Sequence, residues 1–186
     1  MNIKKTEIEG VYIIEPKVFE DSRGYFFESF NEFEFNKNRS HLNAFFPVQD
    51  NESKSSYGVL RGLHFQEEPY AQAKLVRVVS GEVYDVAVDL RYSSPTRGKY
   101  VGVRLSGENK RQFFIPEGFA HGFVVLSDTV VFQYKCNELY HQESENGIKW
   151  DDETIGIEWP IPINEIKTSE KDKKWQSYNE YISNRG

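Results

Sequence analysis

Cysteine is almost missing from this 186-residue chain: Cys136 stands alone, so no disulfide can close within one copy. No apolar stretch approaches the ~18 residues that a membrane-crossing helix needs, which excludes a helical membrane protein. The start, Met1-Asn2-Ile3-Lys4-Lys5-Thr6-Glu7, is charged and has no apolar segment behind it, so no secretory signal is expected and the cytoplasm is the default compartment. A basic excess is lacking too. With 29 Asp and Glu against 23 Lys and Arg the net charge is −6, which argues against general nucleic-acid binding but allows a few convergent cations to hold one phosphate group. Repeats, low-complexity tracts and long linkers are absent. Residues 1–186 read as a single domain, with a β body to about residue 160 and a helical tail over 161–186.

Aromatic residues are plentiful at 15%, which suits strands, a planar ligand, or both. Period-two patterning dominates from about residue 58 to 136. In Val83–Leu90, Tyr84, Val86, Val88 and Leu90 share one face while Asp85 and Asp89 take the other. Tyr100–Leu105 and Thr129–Cys136 alternate in the same way, the latter with Val130, Phe132, Tyr134 and Cys136 on one side. Turn chemistry at Ser80-Gly81, Ser93–Gly98, Ser106–Asn109 and Ser127-Asp128 separates these half-buried strands. Strands without intervening helices predict a mainly β fold, an antiparallel sandwich or jelly roll with short helices. Asn31–Asn38 is expected to form two short turns. Beyond Pro160 and Pro162, Ser169-Glu170-Lys171-Asp172 reads as a capping box opening a helix that continues to Tyr181.

Of the four histidines, two sit in unusual settings. His121 ends Ile115-Pro116-Glu117-Gly118-Phe119-Ala120-His121, the Pro-x-Gly-x-x-His form of cupin jelly rolls. His64 lies where cupins carry metal-binding His-x-His, but Gln66 replaces the second His and no Glu follows at the needed offset. Two imidazoles and an amide are a poor metal set, so no metal is expected. A strand histidine is more often a structural hydrogen-bonder than a catalyst. What favours a site is the crowding of Arg61, His64, Lys74 and Arg77 beside Gln49-Asp50-Asn51, because inward charges are costly unless something compensates them. Arg61 and His64, three apart, would face opposite sides of a regular strand. An irregularity at Gly62, most simply a bulge, is required to bring both to one pocket.

The blocks Asp21–Glu28, Gln49–Asn51, Gly58–Gln66, Ala71–Val76, Gly81–Asp89, Ile115–Phe123 and Gly156–Pro160 together resemble the dTDP-4-dehydrorhamnose 3,5-epimerase family, in order from about residue 10 to 175. The resemblance implies a metal-free, cofactor-free jelly-roll homodimer. Its substrate would be a dTDP-linked 4-keto-6-deoxyhexose, inverted at C5 and C3. His64 matches the family's base, Tyr134 its acid, and Asp172 the partner that orients His64, although Ser169-x-x-Asp172 also reads as an ordinary helix cap. Lys74 is positioned by type to stabilise an enolate oxygen. Arg23, Arg61 and Lys171 are candidates for the pyrophosphate, Glu28, Gln49 and Asn51 for hydrogen bonds to the nucleotide, and Phe26 for stacking on thymine. His121 would contact the sugar or support His64, while Tyr140 and Glu145 match positions near the pocket mouth. In the family the segment carrying Arg23 and Glu28 crosses to the neighbouring subunit. The loop Leu139–Ser144 departs from the family pattern at His141 and Gln142. Three alternatives stay open: an epimerase of one carbon only, a non-catalytic sugar-binding jelly roll, and a metal-dependent cupin oxygenase, the last disfavoured by Gln66.

Overall fold

The computed structural model describes residues 1–37 and 44–185; the last residue of the helical expectation at Asn31–Asn38 lies outside them. In chain order the elements are β1 (Asn2–Lys5), β2 (Tyr12–Glu15), β3 (Phe19–Asp21), β4 (Gly24–Phe26), α1 (Glu32–Lys37) and β5 (Gln49–Ser56). There follow β6 (Leu60–Gln66), β7 (Lys74–Ser80), β8 (Glu82–Asp89), β9 (Tyr100–Ser106), β10 (Gln112–Ile115), β11 (Phe119–Val125) and β12 (Thr129–Cys136). After β13 (Glu145–Gly147) comes a tail of short 3₁₀ turns and α2 (Tyr178–Ser183).

Two antiparallel sheets face each other, in the orders β1-β2-β10-β7-β12-β5 and β13-β6-β11-β8-β9, and β3-β4 form a separate hairpin. This is the jelly roll expected from the alternation. Between the sheets lies an apolar core that includes Val76, Val78, Val83, Leu105, Phe113 and Phe132. The outer face of the second sheet is also covered: Leu63, Phe65, Val86 and Val88 pack under Ile155, Tyr178 and Tyr181 of the tail. On the first sheet, Phe35 of α1 and Phe45 cover Ile14, Leu75 and Phe114.

The tail layer corrects the picture of β8 as half-buried. Val83 and Ala87 face the inner core while Val86 and Val88 face the tail, so Asp85 and Asp89 are both fully buried. Asp89 is satisfied by Arg91, Ser94 and Thr96. The tail is not one helix either. A 3₁₀ turn spans Asp172–Lys174, Trp175 is extended, and α2 starts at its own capping box between Ser177 and Glu180. Asn31 Oδ1 accepts the Glu34 N–H at the start of the six-residue α1. Among the described residues no helix is long and apolar enough to cross a membrane.

Candidate active site

One end of the space between the sheets opens as a cavity of about 700 Å³. Of the residues singled out in the sequence, His64, Tyr134, Asp172, Lys74, Asn51, Arg61, His121 and Lys171 all line it. The segment Lys167–Asp172 closes one side.

Gly62 makes the convergence of Arg61 and His64 possible. His121 pairs with His64 and Phe123 with Arg61, so Gly62 and Leu63 of β6 oppose the single Gly122 of β11. That extra residue is the expected bulge, and it re-aims the following side chain. Gly62 adopts φ +146°, and a Cβ there would lie 2.6 Å from Gly122 Cα. Strand parity explains why Arg77, alone of the Arg61, His64, Lys74 and Arg77 group, does not converge. Lys74, Val76 and Val78 point inward along the regular part of β7, so Arg77 faces the outer side, where it donates to Gln133 Oε1 at 2.8 Å.

His64 and Asp172 meet across 108 residues of sequence, with His64 Nε2 2.5 Å from Asp172 Oδ1. The Asp172 backbone N–H donates to Ser169 Oγ at 3.1 Å. The expected capping box is only half formed: Ser169 takes the Asp172 N–H, the turn itself starts after Lys171 with no side-chain cap, and the Asp172 carboxylate meets the imidazole. Burial alone would raise the carboxyl of Asp172, a residue only 3% exposed. The hydrogen bond and charge of His64, with donors from Ser169 and Trp175, outweigh that and hold it below the ordinary carboxylate range. It stays ionised beside the imidazole.

Burial raises the Tyr134 phenol, an effect opposed by the Arg61 guanidinium, so it remains protonated at neutral pH. Burial lowers the Lys74 ammonium, partly offset by the field of Cys136, Asp85 and Glu145, which makes it a better proton donor than a surface lysine. His121 is tied to fully buried Asp85, with Nε2 2.9 and 3.1 Å from the two oxygens. Asp85 was not singled out as a site residue. Its signal was the position opposite Val86 in the β8 alternation, which places it on the inner face.

Glu145, Tyr140 and Gln49 do not line the cavity but reach residues that do: Glu145 accepts hydrogen bonds from the Tyr140 hydroxyl, at 2.6 Å, and from the ammonium of cavity-lining Lys171. Gln49 accepts the Tyr140 N–H at 3.0 Å and donates to Asn51 Oδ1 at 2.9 Å. Arg23, Phe26 and Glu28 do not reach this cavity. Arg23 pairs with Asp21 on the exposed hairpin, and Glu28 accepts from Asn31.

Gln66, at the position of a cupin metal ligand, donates to the carbonyls of Tyr70 and Leu139 and accepts the His141 N–H. Its amide is committed to loop backbone. Among the described residues no group of three or more His, Cys, Asp or Glu side chains is placed to hold a metal ion.

A family model described as dTDP-4-dehydrorhamnose 3,5-epimerase matches residues 5–180. The chain belongs to this family. The dTDP-4-dehydrorhamnose 3,5-epimerase of Methanothermobacter thermautotrophicus is 56% identical over 177 residues, covering 95% of this chain and 94% of its relative. The crystal structure of the enzyme of that name from Elizabethkingia anophelis superposes with a TM-score of 0.92 at 54% identity, covering 97% of each chain. A dTDP-6-deoxy-D-glucose-3,5-epimerase from Legionella pneumophila, solved in complex with dTDP-4-keto-L-rhamnose, gives a TM-score of 0.91 at 50% identity, covering 96% of this chain and 93% of that one. Among the cavity-lining residues of this epimerase-family chain, Glu52, Ser53, Lys167 and Thr168 were not foreseen. The tail approaches the barrel through long-range pairing that no local pattern announces.

Proposed function

We propose that this chain converts dTDP-4-dehydro-6-deoxy-D-glucose to dTDP-4-dehydro-L-rhamnose by epimerisation at C3 and C5. The observation that carries the reading is a carboxylate-paired imidazole and a protonated phenol lining one cavity together with a lysine.

With Nε2 committed to Asp172, His64 Nδ1 holds the free lone pair. It takes the proton from C5, whose acidity comes from the adjacent 4-keto group, and the C–H electron pair moves to O4 as an enolate. Asp172 stabilises the imidazolium formed, and Lys74 donates to O4 as charge gathers there. Tyr134 returns a proton to C5 from the opposite face, the enolate collapses to the ketone, and the phenolate is reprotonated. Once the imidazolium has released its proton to solvent, the same groups serve C3 after the sugar turns. The 4-keto group supplies the activation, so no redox cofactor enters the scheme.

Arg61 and Lys171 bind the pyrophosphate, Asn51 and Gln49 the nucleotide, and His121 the sugar or the floor beneath His64. Tyr140 and Glu145 shape the mouth. The protein acts as a homodimer in which the β3–β4 hairpin enters the partner's site, bringing Arg23, Phe26 and Glu28. Its support is that all six strand residues of the hairpin are exposed, with Phe19, Tyr25 and Phe26 each more than half exposed, and that these groups do not reach their own cavity. Body and tail form one functional domain, because the tail supplies Asp172. A lone free cysteine suits the cytoplasm.

The test is incubation with dTDP-4-keto-6-deoxyglucose in D₂O after exhaustive chelation, with deuterium at C3 and C5 followed by NMR. Uptake at both carbons is expected. Uptake at one carbon marks a narrower epimerase, no exchange leaves a binding protein, and exchange abolished by chelation restores a metal.

A further inference from the structure

Trp175 touches both members of the His64–Asp172 pair. Its indole Nε1–H donates to Asp172 Oδ1 at 3.3 Å, the same oxygen that meets His64 Nε2. Its ring stands edge-on to the imidazole, with centroids 5.9 Å apart and planes at 67°. The indole is seated from behind by a missing side chain. A Cβ added to Gly147 would fall 2.5–2.7 Å from three atoms of the Trp175 ring. Gly147 is in turn the residue paired with His64 in the β13–β6 ladder. The hollow that receives the indole and the strand that carries the imidazole thus share one rung. The next residue is pinned as well, since Gln176 O accepts the Lys149 N–H at 2.9 Å and pairs with Ile148.

We propose that Trp175, seated in the Gly147 hollow, is a positioning residue that fixes the Asp172 carboxylate against His64 Nε2 and so keeps Nδ1 directed into the cavity. The inference rests on the proposed role of His64 as base. Asp172 sits on a three-residue 3₁₀ turn with no helix to stiffen it. A carboxylate there needs outside donors to hold its rotamer, as outer hydrogen bonds orient the ligands of a metal or a catalytic histidine. The indole supplies one such donor, and its ring blocks rotation of the imidazole on one side. Nothing requires Trp175 to touch substrate, and it does not line the cavity.

The decisive variant is Trp175→benzothienylalanine, introduced at this one codon. Sulfur replaces the N–H while the bicyclic shape still fills the hollow, so folding is preserved. The expected result is a kcat about tenfold lower, the loss of one hydrogen bond to a charged group, with KM unchanged and the melting temperature lowered only slightly. The ¹⁵N resonances of the His64 ring should also shift. Gly147→Ala should expel the indole, change tryptophan emission and lower kcat by at least as much. An unchanged kcat in the benzothienyl variant, or a loss expressed in KM alone, overturns the proposal, as does a Gly147→Ala enzyme with normal kcat. His64→Ala is run in parallel. Turnover there refutes the base assignment itself, whereas a dead His64→Ala beside a fully active benzothienyl variant refutes only the role of Trp175.

Discussion

Asp172→Asn isolates the charge of the dyad from its shape. The side chain is 4% exposed and its Oδ1 lies 2.5 Å from His64 Nε2, so an amide of the same size can keep the contact but cannot balance an imidazolium. A hydrogen bond to a charged, largely buried group is worth about 1.5–3 kcal/mol. That stabilisation is needed only once His64 has taken the proton, so its loss falls on the transition state, not on the bound substrate. The expected result is kcat lower by roughly 10- to 150-fold with KM little changed, measured as C5 deuterium wash-in and as product formation. A kcat within threefold of the parent would refute the reasoning, since the carboxylate would then be indifferent to the base. The same variant carries a stability signature. Because the Asp172 carboxyl is held below its ordinary value, it favours the fold fully above the unfolded-state value, and that contribution is lost as pH falls through the lower, folded-state one. Acid melting curves of Asp172→Asn should therefore lack this part of the destabilisation.

Tyr134→Phe should suppress inversion while leaving measurable wash-in, because abstraction by His64 needs no acid on the far face; complete loss of exchange would place the phenol in the first step. Gly62→Ala should lower both stability and kcat, since the new Cβ meets Gly122 Cα at 2.6 Å in a backbone conformation that side chains rarely adopt; thermal melts and kinetics on one preparation check it. Arg23→Ala should raise KM severalfold with little effect on kcat if the hairpin serves a neighbour's pyrophosphate site; an unchanged KM argues against that crossing.

The inner architecture was legible because it follows from alternation. Val130, Phe132 and Cys136 face inward as their period requires, and Arg61 with His64 demanded a bulge that Gly62 provides. Strand parity also held the answer for Arg77, whose inclusion with Lys74 ignored the odd spacing between them. What stayed hidden depends on contacts distant in sequence. The second buried face of β8 exists because Tyr178 and Tyr181 return to cover it, and no local pattern in β8 distinguishes a covered face from a wet one. The tail misled for a related reason: a capping signal at Ser169 predicts a helix, but backbone pairing at Lys167 and Gln176 draws the chain straight on either side of a single turn.

That double tether has a thermal consequence. The segment between the Val59–Lys167 and Ile148–Gln176 bridges is a short strap holding the carboxylate partner of His64, the proposed base, while the barrel beneath it is held by full strand ladders. Warming should release the strap before any ladder opens, so catalysis fades at temperatures where circular dichroism still reports an intact sheet, and returns on cooling.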